Sequence, residues 1–91
     1  MENNFFNRLE NCHKRLIKIR DGIKSIPDKS EETISMLSIA ERIILISAEI
    51  LKDMHEKNRW DMNDRTGFKR FLLECENFIK LNIELLLPRH L

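Results

Sequence analysis

Ninety-one residues with a formal net charge of +1 fit one domain with a modest core. The near-balanced charge gives no global electrostatic pull toward nucleic acid or an acidic membrane. Two Gly, two Pro and no Tyr, against abundant Leu, Ile, Glu, Lys and Arg, leave few turns and favour a few long helices.

The first helix is expected over about residues 4–25. Phe5, Leu9, Cys12, Leu16, Ile19, Ile23 and Ile26 recur at alternating intervals of four and three, a narrow stripe on one side of a helix. Phe6 and Ile17 widen that stripe locally. Pro27 ends the helix, because the residue before a proline is pushed out of helical geometry.

The second helix is expected over 31–57, with Asp28 or Ser30 as its cap and Glu31 and Glu32 at the positive end of the helix dipole. Ile34 to Met54 is the most apolar stretch of the chain. Its apolar side chains cover about half the circumference at roughly 100° per residue. They resolve into two seams, Met36-Ile39-Ile43-Ile46-Ile50 and Leu37-Ala40-Ile44-Ala48-Leu51. One seam for each neighbour makes this the expected central helix, with Ile43 and Ile50 buried. Leu45 falls on the polar face beside Glu41, Arg42 and Glu49, and is expected to be exposed.

Residues 56–67 lack periodicity and contain turn and cap residues. A third helix is expected over about 64–87, with Phe68, Phe71, Leu72, Cys75, Phe78, Ile79, Leu85 and Leu86 on its apolar arc. Asn82 lies inside that arc, whereas Leu73, Leu81 and Leu87 lie outside it. The pattern therefore describes a single all-α domain over 1–91, a three-helix up-down-up antiparallel bundle that homodimerisation can complete.

No motif carries chemistry. Cys12 and His13 are adjacent and diverge by about 100° on a helix, and no CxxC, HxxxH or HExxH spacing occurs. The two cysteines read as reduced, buried thiols of a cytoplasmic protein, and His55 and His90 as solvent-facing. Glu31-Glu32 are explained by the helix dipole, and two glycines make no phosphate-cradling loop. No catalytic residue, cofactor or metal site is therefore expected. The N-terminus lacks a secretory pattern and no segment is apolar enough to span a bilayer.

Two surfaces remain. Arg65, Lys69 and Arg70 make the start of the third helix basic, as a groove-reading helix would be. The long linker and balanced total charge argue against nucleic acid. Arg59, Trp60 and Met62 are residue types suited to interface anchors, and Leu45, Leu73 and Leu81 add apolar area beyond the core stripes. The expected activity is protein–protein binding, most simply as an immunity- or antitoxin-type inhibitor that neutralises a toxin or enzyme, by class analogy. The alternatives are a secretion chaperone or adaptor and a small nucleic-acid-binding regulator.

Overall fold

In the computed structural model, which describes residues 5–57 and 66–83, the chain is all-helical and contains no strand among those residues. Three helices follow one another: α1 (Phe5–Lys24), α2 (Glu31–Glu56) and α3 (Thr66–Leu81).

The helix ends are set by local chemistry. Past the end of α1, the Ser25 hydroxyl donates to the Gly22 carbonyl at 2.8 Å, and the Ile26 N–H donates to Ile23 at 3.1 Å. Lys29 Nζ then donates to the carbonyls of Lys24 (3.0 Å) and Ile26 (2.9 Å). A cation thus closes the negative end of the α1 dipole. Ser30, rather than Asp28, caps α2: its Oγ accepts the Thr33 N–H at 3.1 Å and lies 3.0 Å from Thr33 Oγ1. Removing a hydroxyl cap of this kind typically costs about 1 kcal/mol.

The α-helical part of α3 stops at Leu81, short of the expected 87. Asn82 stands just past that end. Its N–H is shared between the carbonyls of Phe78 (3.2 Å) and Ile79 (3.0 Å), and its side-chain Nδ2 donates back to Phe78 at 2.8 Å. The buried amide inside the apolar arc is satisfied within its own helix, as a buried polar group must be. Residues 84–87 lie outside the described residues, as do 64 and 65.

The central helix is α1, not α2. Its stripe of Phe5, Leu9, Cys12, Leu16, Ile19 and Ile23 is buried along its whole length, each residue at most 5 % exposed. Both α2 and α3 pack on α1, while α2 and α3 have at most marginal contact with each other. Leu72, Cys75 and Ile79 of α3 and Met54 of α2 join the α1 stripe in one core. Phe5 and Phe68 add a tilted ring pair with centroids 6.1 Å apart.

Consequently α2 buries less than its composition suggests. Only Ala40, Ser47 and Met54, spaced seven apart, are buried on it. Ile43 and Ile50, expected in the core, are half-buried; Ile39 and Ile46 are each 40 % exposed. The breadth of an apolar arc measures how much surface needs cover, not how many helices of the same chain supply it.

Gly67, near the start of α3, is exposed, and a Cβ there would meet nothing within 4 Å. Glycine's backbone freedom is unused at this position, so Gly67→Ala should stabilise the fold by roughly 0.4–1 kcal/mol through the unfolded state. A urea midpoint unchanged or lowered by the substitution would contradict that reading.

Candidate partner-binding surface

The surface is built mainly by what α1 leaves uncovered on its two neighbours. On α2, Leu45 points away from the Ala40-Ser47-Met54 line and is 66 % exposed. On α3, Leu73 and Leu81 are 59 % and 84 % exposed. Leu73 joins Arg8, Lys69 and Leu72 around a shallow groove of about 210 Å³ between α1 and α3. Leu45 takes no part in it, because α2 and α3 pack on α1 separately. Leu81 is eight residues beyond Leu73 and about 80° round the helix, so the three leucines do not form one patch. Lys69 and Arg70 are both exposed. Arg59, Trp60, Met62 and Arg65 lie outside the described residues.

A larger groove of about 500 Å³ runs beside α1, where Arg8, Lys14 and Arg15 face Glu10 and Glu76. Arg8 grips Glu76 through three hydrogen bonds: Nη2 donates to Oε1 at 2.8 Å and to Oε2 at 3.1 Å, and Nε donates to Oε2 at 3.2 Å. Both side chains are more than a third exposed, so the pair fixes the orientation of α3 on α1 more than it stabilises the fold.

The structure also brings together two residues that the sequence did not pair. His13 of α1 and Ser47 of α2 meet at 2.6 Å between Nδ1 and Oγ. Ser47 is wholly buried, and its hydroxyl donates to the Ile44 carbonyl at 3.0 Å. With the Ser47 proton on the Ile44 carbonyl, His13 Nδ1 is the donor to Ser47 and the neutral ring is the Nδ1–H tautomer. His13 is therefore half-buried at the α1–α2 junction, whereas His55 is exposed and His90 lies outside the described residues. The signal was present in the sequence: His13 lies seven residues after Phe6 and four before Ile17, on the same flank of the stripe.

Burial, and after it the nearby Arg20 guanidinium, pulls the His13 imidazole below its ordinary pKa of 6.5. The native state thus favours the neutral ring, and the unfolded chain binds more protons as pH falls through 6.5. The contribution of His13 is fully present above that pH and lost below it. The difference in unfolding free energy between wild type and His13→Gln, which can still donate to Ser47, should accordingly shrink as pH drops from 7.5 to 5. A difference constant across that range would show that His13 titrates alike in both states.

The pair is not an accessible nucleophile, because no substrate reaches a hydroxyl buried between two helices. The thiols are equally enclosed. Burial, followed by the Glu76 charge, pushes Cys12 up to about 11. Burial, followed by proximity to Cys12, pushes Cys75 up to about 12. Both are free, buried and protonated at neutral pH, whereas the thiolate is the reactive form. Among the described residues no three His, Cys, Asp or Glu side chains converge to hold a metal ion, and no helix is long and apolar enough to cross a membrane. What the described surface offers is exposed apolar side chains set among mixed charges. The chain matches no protein-family model, no curated protein and no solved structure.

Proposed function

We propose that the chain acts without catalysis, by binding another protein, as an immunity- or antitoxin-type inhibitor of a toxin or enzyme in the cytoplasm. The observation that carries the reading is a division of roles within the fold. The two thiols, Cys12 and Cys75, and the Ser47 hydroxyl that meets His13 are buried, while Leu45, Leu73 and Leu81 stand at the surface. Exposed apolar side chains among charged ones provide contact area and electrostatic complementarity, the two ingredients of fast, specific association.

The bundle in this proposal is up-down-up and homodimeric. The proximity of Phe5 to Phe68 and of Arg8 to Glu76 favours α1 and α3 running in the same sense. The short connection at 25–30 and the mid-helix meeting of His13 with Ser47 favour α2 running against them. The exposed isoleucines of α2 are the reason to expect a second copy.

A toxin inhibitor is normally encoded beside its toxin. Co-expression with the toxic product of the adjacent gene should restore growth, and Leu73→Asp or Leu45→Asp should weaken the rescue without loss of helicity. A neighbourhood with no toxic product, or no rescue, would sink the inhibitor reading. Salt-sensitive retention on DNA, lost in a Lys69→Ala, Arg70→Ala variant, would instead favour the nucleic-acid regulator.

A further inference from the structure

The outer flank of α2 carries a second seam, Met36, Ile39, Ile43, Ile46 and Ile50, at alternating intervals of three and four. That spacing keeps the side chains in line along a helix and is the spacing by which one helix seats another. The seam spans about 21 Å at about 1.5 Å per residue. Ile39 and Ile46 are 40 % exposed, and the other three are half-buried. Met36, Ile43 and Ile50 rest one side on the core, while among the described residues α3 packs on α1 and leaves the outer side of the seam, Ile39 and Ile46, without a neighbouring helix.

We propose that this seam is a self-association surface, on which α2 of a second copy lies antiparallel about a two-fold axis. The proposal rests on the homodimer reading above and is independent of the inhibitor reading. In the register intended, Ile43 faces Ile46 of the second copy, and Ile39 faces Ile50.

The charges bordering the seam select that arrangement. Arg42 and Glu49 are exposed, seven residues apart, and stand on the solvent-facing flank of the seam. Neither has an ion pair among the described residues. Antiparallel pairing in this register lays Arg42 against Glu49 of the second copy, and the two-fold axis makes the pair twice. Helical pairs of opposite charge at such flanking positions set partner choice and orientation. A parallel pair would turn the same two charges toward the Ala40-Ser47 flank of the other copy, where no charge answers them. The seam's ends agree with the antiparallel choice. Glu32 continues the seam at the start of α2 and Lys57 at its close, so the same register sets Glu32 near Lys57 of the second copy, whose ammonium also pairs with its own Asp53 at 3.1 Å. The opposite flank, Ala40 and Ser47, is buried against α1 in each copy, so the dimer adds to the core without disturbing it.

Sedimentation equilibrium of the full chain tests the proposal. Wild type should be a dimer, and Ile46→Lys a monomer with unchanged helicity. Arg42→Glu and Glu49→Arg each replace two attractions with two repulsions, and each alone should dimerise roughly tenfold more weakly. Mixed, the two variants should form a heterodimer in preference to either homodimer, because every cross-pair is then of opposite sign. Both substitutions are on exposed helix surface, so this arm does not depend on a core variant folding.

A monomeric wild type at several hundred micromolar would overturn both the seam and the homodimer reading. A monomer destabilised by Ile46→Lys would mean that residues of the same chain cover the seam. A dimer indifferent to Ile46→Lys would place the interface elsewhere, leaving the homodimer reading but not this surface. Loss of the dimer by Ile46→Lys without preferential mixing of the charge variants would overturn the antiparallel register.

Discussion

Replacing Leu16 by Ala should lower the free energy of unfolding by about 2–5 kcal/mol. The residue is 0 % exposed, in the middle of the α1 stripe that both other helices cover. Deleting most of its side chain loses the transfer free energy and leaves a cavity that α2 and α3 cannot both close. A domain of this length is expected to have roughly 5–14 kcal/mol in all, so a single substitution removes a large share of it. The comparison that decides the matter is Ile43→Ala. Were α2 the central helix, Ile43 would be as sensitive as Leu16. Because Ile43 is half-buried in the lone chain, its truncation should cost well under the Leu16 figure. Both variants belong in an Ile46→Lys background, so that self-association does not enter the urea midpoints. Equal losses at the two positions would contradict the central place of α1.

The same contrast explains what could be read in the chain and what could not. The stripe Phe5 to Ile23 was legible, because a four–three alternation can be satisfied only by a helix with one buried line. The start of α2 was legible from Ser30 and the two glutamates after it. Which helix sits in the middle was not. Periodicity reports the width of each apolar face, and α2 has the widest, but a wide face can be left half-open for another chain. A narrow one can be shared by two neighbours, as α1's is. Asn82 was visible as a polar residue within an apolar arc, yet its back-bond to Phe78 depends on the helix ending there. The His13–Ser47 contact was the reverse case. His13 stands in line with Phe6 and Ile17, and Ser47 stands midway between Ala40 and Met54. Both are polar, so an apolar pattern passes over them, yet heptad spacing marks their positions. Of the surface residues, Leu45, Leu73 and Leu81 followed directly from helical angles. Their separation into distinct patches depends on how α2 and α3 are placed around α1, which no local pattern encodes.

Small side chains at the α1–α2 junction lead to the other large effect. Ala40 and Ser47 are both 0 % exposed, and the 2.6 Å bond from His13 to Ser47 shows how near the two helices come. A larger residue at either place has no room unless the helices part. Ala40→Leu should therefore destabilise the fold by about 1–3 kcal/mol through overpacking. Helix propensity cannot account for such a loss, since Ala and Leu both stand near the top of that scale. Ala48→Leu supplies the control, for Ala48 is only half-buried on the neighbouring flank of α2 and can turn its extra carbons outward. Parting the helices would also stretch the His13–Ser47 hydrogen bond, so the His13 ring proton on Nδ1 should exchange with solvent faster in Ala40→Leu than in wild type. Ala40→Leu with wild-type stability and a slowly exchanging His13 proton would mean that α1 and α2 have space between them. The line Ala40-Ser47-Met54 would then not be the surface on which α2 is held to the core.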